Sequence, residues 1–193
     1  MNKRYWIVWA FSTWTTTVFN ELQEVLNNYV FISEVAREIL IETHQDINNM
    51  TITEKAFFQK AVLSKQIKEE TNATIRDMSL NILKYRDFIS DTSLIDILAY
   101  SQDLDESTYK IMYLRVVEYL QHYPYTRLFY IPNEINIEKD WVRHIDKEFQ
   151  NIINSRIKIL LEDFKDNLWI DFILVKWTVA ERTNTILQSM SKD

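Results

Sequence analysis

The sequence predicts an α/β fold of three layers, a five-stranded parallel sheet with helices on both faces. Three observations lead there. Five short, continuous apolar runs of strand type alternate with segments whose apolar residues recur at gaps of three and four. Parallel strands need crossover connections, and the helices in those crossovers coat both faces of the sheet. A chain of 193 residues, 47% hydrophobic and 13% aromatic, is long and apolar enough to bury one core, so residues 1–193 are expected to form a single domain.

Tyr5–Trp9 is the first strand, and Thr15–Asn27 follows as a helix with Val18, Phe19, Leu22, Val25 and Leu26 on one face. Tyr29–Ile32 is the second strand. The helix Ser33–Thr43 comes next, with Ser33 as its N-cap. Thr51-x-x-Glu54 is a capping box that opens a helix to about Glu70, with Ile52, Ala56, Phe57, Val62 and Ile67 among its apolar positions. Residues 71–86 are weakly amphipathic and have no assigned element. Asp87–Ser90 is the third strand, ending at Asp91, followed by a helix over 92–102 and another over Ser107–Gln121. Leu128–Ile131 is the fourth strand, and Pro132 stops it. The helix Val142–Lys165 carries Val142, Ile145, Phe149, Ile153, Ile157, Leu160 and Phe164 as a continuous stripe. Ile170–Val175 is the fifth strand, and Thr178-x-x-Glu181 is a second capping box opening the last helix to Met190.

Composition narrows the function. The net charge of −6, with Lys and Glu mixed along the chain, argues against a nucleic-acid or anionic-membrane partner, which calls for a basic patch. No apolar run reaches the length of a membrane span, and the expected location is the cytoplasm. With no cysteine and three scattered histidines (His44, His122, His144), neither a disulfide framework nor a His/Cys metal cluster is expected.

Glycine is the anomaly. At an average usage of about 7%, a chain of this length would carry on the order of thirteen. It has none. Turns, helix ends and phosphate-binding loops rely on glycine because other residues resist positive φ.

In open α/β sheets ligands sit at the carboxyl ends of the strands. After the first strand, residues 9–16 read W-A-F-S-T-W-T-T where a phosphate-binding loop would read G-x-x-x-x-G-K-[ST]. Trp9 and Trp14 occupy the glycine places and Thr15 the lysine place. Thr16 keeps the hydroxyl.

Other segments share one order with a known family: "FISEVAREI" after the second strand, "FISDTSLIDILAY" at the third, "YIPNEINIEKDWVRHID" after the fourth, and "ILVKWTVAERTNTIL" at the fifth. Together they resemble the AAA-type ATPases related to nicotinamide riboside kinase, over Tyr5 to about Leu187. The resemblance implies a P-loop NTPase fold of the kinase-like kind that binds ATP or GTP with Mg2+ and transfers a phosphoryl group to a small-molecule acceptor. By position, Ser12, Thr13, Trp14, Thr15, Thr16 and Thr17 would surround the phosphates, and Thr16 and Asp91 would hold the metal. Asp91 and Arg143 would be catalytic, Arg143 lying in the loop over the phosphates. Glu34 and Arg37 would face the acceptor, and the Trp177–Arg182 turn would approach the adenine.

The departures fall on chemistry-bearing positions: Trp9, Trp14 and Thr15, with Thr92 in place of an arginine, Trp141 and Trp177 in place of glycines, and Phe11 in place of a proline. They imply a nucleotide site that is impaired in this chain. Other readings stand beside this one. Glu34 and Arg37 could be a surface pair at i and i+3, Asp91 could cap the following helix, and the tryptophans could be core or rim. The alternative function is a non-catalytic or engineered scaffold, or an interaction module that binds no nucleotide.

Overall fold

The computed structural model describes residues 3–9, 15–75, 87–132, 147–176 and 178–192. Five parallel strands form one sheet: β1 (Arg4–Trp9), β2 (Val30–Ile32), β3 (Phe88–Ser90), β4 (Arg127–Ile131) and β5 (Phe172–Leu174). Their order is β2-β3-β1-β4-β5, so the first strand is central, as the fold class requires. β1 pairs with β3 through Trp6↔Ser90 and with β4 through Trp9↔Ile131. Trp9 and Asp91 therefore leave the sheet on the same edge, from adjacent strands.

Seven helices cover it among the described residues: α1 (Thr15–Val25), α2 (Val35–Thr43), α3 (Ile52–Ile75), α4 (Leu94–Ser101), α5 (Glu106–His122), α6 (Lys147–Leu168) and α7 (Val179–Met190). The side chains of β1 alternate between two cores, as the two-residue period of a strand dictates. Trp6 and Val8 join a large cluster with α2 to α6, whereas Tyr5, Ile7 and Trp9 pack with α1 and α7. Because both faces are buried, every residue of β1 is buried too, which is why it reads as a continuous apolar run.

The two capping boxes form as expected. Thr51 and Glu54 exchange side-chain and backbone hydrogen bonds ahead of α3, and Thr178 and Glu181 do so ahead of α7. The stripe of α6 is buried at Ile153, Ile157, Leu160 and Phe164, while Val142 and Ile145 lie outside the described residues. Other expectations need correction. Ser33 is not the N-cap of α2. That position is Glu34, whose side chain makes no cap bond, and the Ser33 hydroxyl points to Glu38 instead. Val25 is exposed at the end of α1, and Ile52 and Phe57 are exposed on α3, whose buried face runs through Phe58, Val62, Leu63, Gln66, Glu70 and Ala73. α3 also continues past Glu70 to Ile75.

Two described residues take positive φ, His44 at 53° and Trp169 at 58°. Trp9 is not one of them. It sits in β1 as ordinary strand, so a tryptophan there carries no positive-φ penalty.

Candidate functional site

The carboxyl edge of β1 and β3 is knitted together by side chains that the chain places just past each strand. The Trp9 indole N–H donates to the Asp91 carbonyl at 2.7 Å, tying the strand ends together. The Asp91 N–H continues the ladder to the Ile32 carbonyl at 2.9 Å. Asp91 itself is buried, and it does not cap the next helix. Ser93 caps α4, its hydroxyl accepting from the Asp96 N–H while the Asp96 carboxylate accepts from the Ser93 N–H at 2.8 Å.

Asp96 is the site residue that sequence reasoning missed. Its second oxygen accepts the Trp9 N–H at 3.2 Å, so one carboxyl fixes both the start of α4 and the end of β1. Burial pushes this carboxyl up to about 7; the hydrogen bonds from Ser93 and Trp9 oppose the rise, and the nearby charge of Glu34 adds to it. The signal was present as Ser93-x-x-Asp96 before the apolar run of α4, a capping-box pattern.

Beneath Trp9 lies a cavity of about 120 Å³ bounded by α2, α3 and α4. Its wall combines Trp9, Phe58, Tyr100 and aliphatic side chains with the polar groups of Glu34, Arg37, Gln59, Thr92 and Asp96. This is the composition of a small-molecule site, an apolar body with a few convergent polar groups. Glu34 and Arg37, expected on the acceptor side, line it, and they also pair with each other at 3.2 Å. The surface-pair reading is thus correct about their contact but incomplete about their place.

Of the residues expected at the phosphates, Thr15, Thr16 and Thr17 open α1, immediately after β1 in the chain, so the strand-then-helix order of a phosphate loop holds. Ser12, Thr13 and Trp14 lie outside the described residues, as do Phe11, Arg143, Trp141 and Trp177. Thr92, expected in place of an arginine, is buried, its carbonyl accepting from Ser90 Oγ and Gln66 Nε2 at 2.8 and 3.1 Å.

Behind the sheet, the amino half of β1 carries a second buried carboxylate. Glu70 on α3 accepts from Trp6 Nε1 at 2.9 Å and Gln66 Nε2 at 3.0 Å, and faces the Arg4 guanidinium at 3.5 Å. Arg4 also donates to the Tyr119 hydroxyl at 2.6 Å and to the Tyr123 carbonyl. Burial pushes Glu70 up, and Arg4 with the two N–H donors pulls it back. Sequence reasoning treated Arg4 and Glu70 only as members of a mixed-charge background. Their separation along the chain hides the pair.

The AAA-domain family matches over residues 5–182. No curated protein matches. Among solved structures, the chain is similar to a NadR protein in complex with NAD and AMP-PNP, with TM-score 0.71 and 15% identity over 99% of this chain and 49% of that one. A NadR protein in complex with NR gives TM-score 0.74 and 14% identity over 99% of this chain and 51% of that one. A deoxyadenosine kinase from M. mycoides with the products dcmp and dcdp gives TM-score 0.61 and 14% identity over 98% of this chain and the whole of that one. The chain spans about half the length of the NadR chains it matches. A parallel sheet in this strand order and a family match across most of the sequence meet in one conclusion: the chain belongs to the AAA-domain family and has a kinase-like P-loop NTPase fold.

Proposed function

We propose that this chain is a single-domain, kinase-like nucleotide-binding protein whose acceptor side is built and whose phosphoryl-transfer side is impaired. The observation that carries the reading is the cavity at the carboxyl edge, where Glu34, Arg37 and Asp96 meet Trp9, Phe58 and Tyr100. Its aromatic walls suit a flat ring, and Arg37 and Glu34 suit hydroxyls. A nucleoside-like acceptor therefore fits best, in keeping with the nucleotide and NR ligands of the similar structures.

ATP or GTP would lie over Ser12–Thr17, with Arg143 above its phosphates. Magnesium takes hard oxygen ligands, commonly one or two carboxylates alongside phosphate oxygens and water. Asp91, a buried residue just after β3, and Thr16, in the first turn of α1, would supply such donors. When bound, the ion would neutralise charge developing on the phosphates. Glu34 would accept the proton of the acceptor hydroxyl and Arg37 would orient it.

Phosphoryl transfer depends almost wholly on positioning and electrostatics. Thr15 removes the lysine charge, Thr92 removes a guanidinium beside Asp91, and indoles at 9 and 14 occupy places where backbone amides should approach phosphate. Phosphate release from ATP or GTP with magnesium should therefore stay at background. Turnover on the order of 1 s⁻¹, typical of working kinases, and abolished by Asp91→Asn, would overturn the impaired reading. Fluorescent-nucleotide titration with and without magnesium separates it from a scaffold that binds no nucleotide.

A further inference from the structure

The chain has six tryptophans and no glycine. Trp169 directly follows α6 at φ 58°, and it is 90% exposed. A helix commonly ends on a left-handed residue, usually glycine, because a Cβ crowds the following carbonyl. The Ile170 N–H folds back to the Phe164 carbonyl at 3.4 Å and closes the helix through this residue, while the indole reaches into solvent. His44, the other left-handed residue, is a side chain that this region tolerates, but a bulky indole is a genuine outlier there.

Trp6, in β1, is crowded in a different way. The Trp6 ring lies between Phe88 and Tyr125, and its centroid is only 3.2 Å from that of Tyr125, inside the 3.5–4.0 Å at which carbon atoms pack best. Trp9 stands at the first glycine place of a phosphate-loop pattern, its side chain packed with α1 and α7 and its indole N–H on the Asp91 carbonyl. Trp14 and Trp177 contribute only their places in the sequence, directly before α1 and directly before the α7 cap Thr178. Both are junctions where glycine is common.

We propose that all six tryptophan positions, 6, 9, 14, 141, 169 and 177, carry glycine in the protein made by its own cell, through one codon that this cell reads as glycine. A single reassigned codon accounts for tryptophan at places that favour glycine, and the absence of glycine elsewhere follows if the gene uses no other glycine codon. Only the interpretation of positions 9 and 14 rests on the proposed nucleotide site. With glycine there, Phe11, Thr15 and Thr92 remain as the departures in the phosphate region.

Peptide mass spectrometry of the protein purified from its own source reads the six positions directly and needs no nucleotide. Glycine at all six, from one shared codon, is the expected result. Tryptophan at any of them, or more than one codon among the six, overturns the proposal. In recombinant chains, Trp169→Gly should raise the folding equilibrium constant roughly 5- to 30-fold over Trp169→Ala, which keeps the left-handed penalty. Equal stability of those two variants, measured by urea unfolding, would remove the backbone argument. Neither result depends on whether the chain binds ATP.

Discussion

β1 has a buried carboxyl toward each of its ends, and the two differ in their partners. In its amino half Glu70 meets the Arg4 guanidinium and the Gln66 amide N–H, in a sealed core. At its carboxyl end Asp96 accepts, among the described residues, from the neutral donors Ser93 and Trp9, beside a cavity. A charge with a counter-ion can stay ionised in a core, whereas one held by dipoles alone drifts toward its neutral form. Burial pushes both carboxyls up, but only Glu70 has a guanidinium close enough to pull it back. The carboxyl end holds a group that changes charge near neutrality, where a ligand would sit.

The largest test breaks the carboxyl end open. If that edge is a nucleotide site lost by substitution, Trp9→Gly, Trp14→Gly, Thr15→Lys and Thr92→Arg combined should create micromolar nucleotide binding, roughly 8 kcal/mol. The glycines alone should restore less. Undetectable calorimetric binding in a folded quadruple variant would show that the site has been placed wrongly.

Next in size is the ion pair of the amino half. Arg4→Met leaves Glu70 buried without its cation and should cost about 3–5 kcal/mol by urea unfolding. The loss should shrink at acid pH, where Glu70 can take a proton. A loss that does not change with pH would mean Arg4 acts through packing on Tyr119 and Phe88 rather than through charge.

Asp96 sharpens the contrast through pH. Folded Asp96 keeps its proton up to about 7, whereas the unfolded chain releases it near 3.8. Between those values the folded state binds the extra proton, so this contribution is full below the lower value and is lost as pH rises through the upper one. The fall should be on the order of 4 kcal/mol. Asp96→Asn, which mimics the protonated form, should flatten that slope in denaturation series across the window. An unchanged slope would assign it to another group.

The smallest effect belongs to the cap. Ser93→Ala removes the hydroxyl that accepts the Asp96 N–H, and should cost about 1 kcal/mol. It should also loosen the Asp96 carboxyl, which loses the hydroxyl donor at 2.9 Å. Thermal melts at two pH values would separate the cap from the carboxyl.

What the sequence determined by itself is the local and periodic part of the protein. Each apolar run named a strand, the gaps of three and four named the buried stripe of α6, and Thr51-x-x-Glu54 and Thr178-x-x-Glu181 marked helix starts that form as read, because these patterns depend on residues within a turn or two of each other. The edge that gathers Trp9, Asp91, Glu34 and Arg37 was also legible, since strand order and the ligand rule for open sheets place it. Which face of α3 turns inward was not, because Phe57 and Phe58 are adjacent, equally apolar, and distinguished only by the helices they meet. Nor were the Arg4–Glu70 pair or the double duty of Asp96 visible. Burial and partnership of a charge are set by chain segments that lie far apart in sequence, and only packing brings them within hydrogen-bond distance.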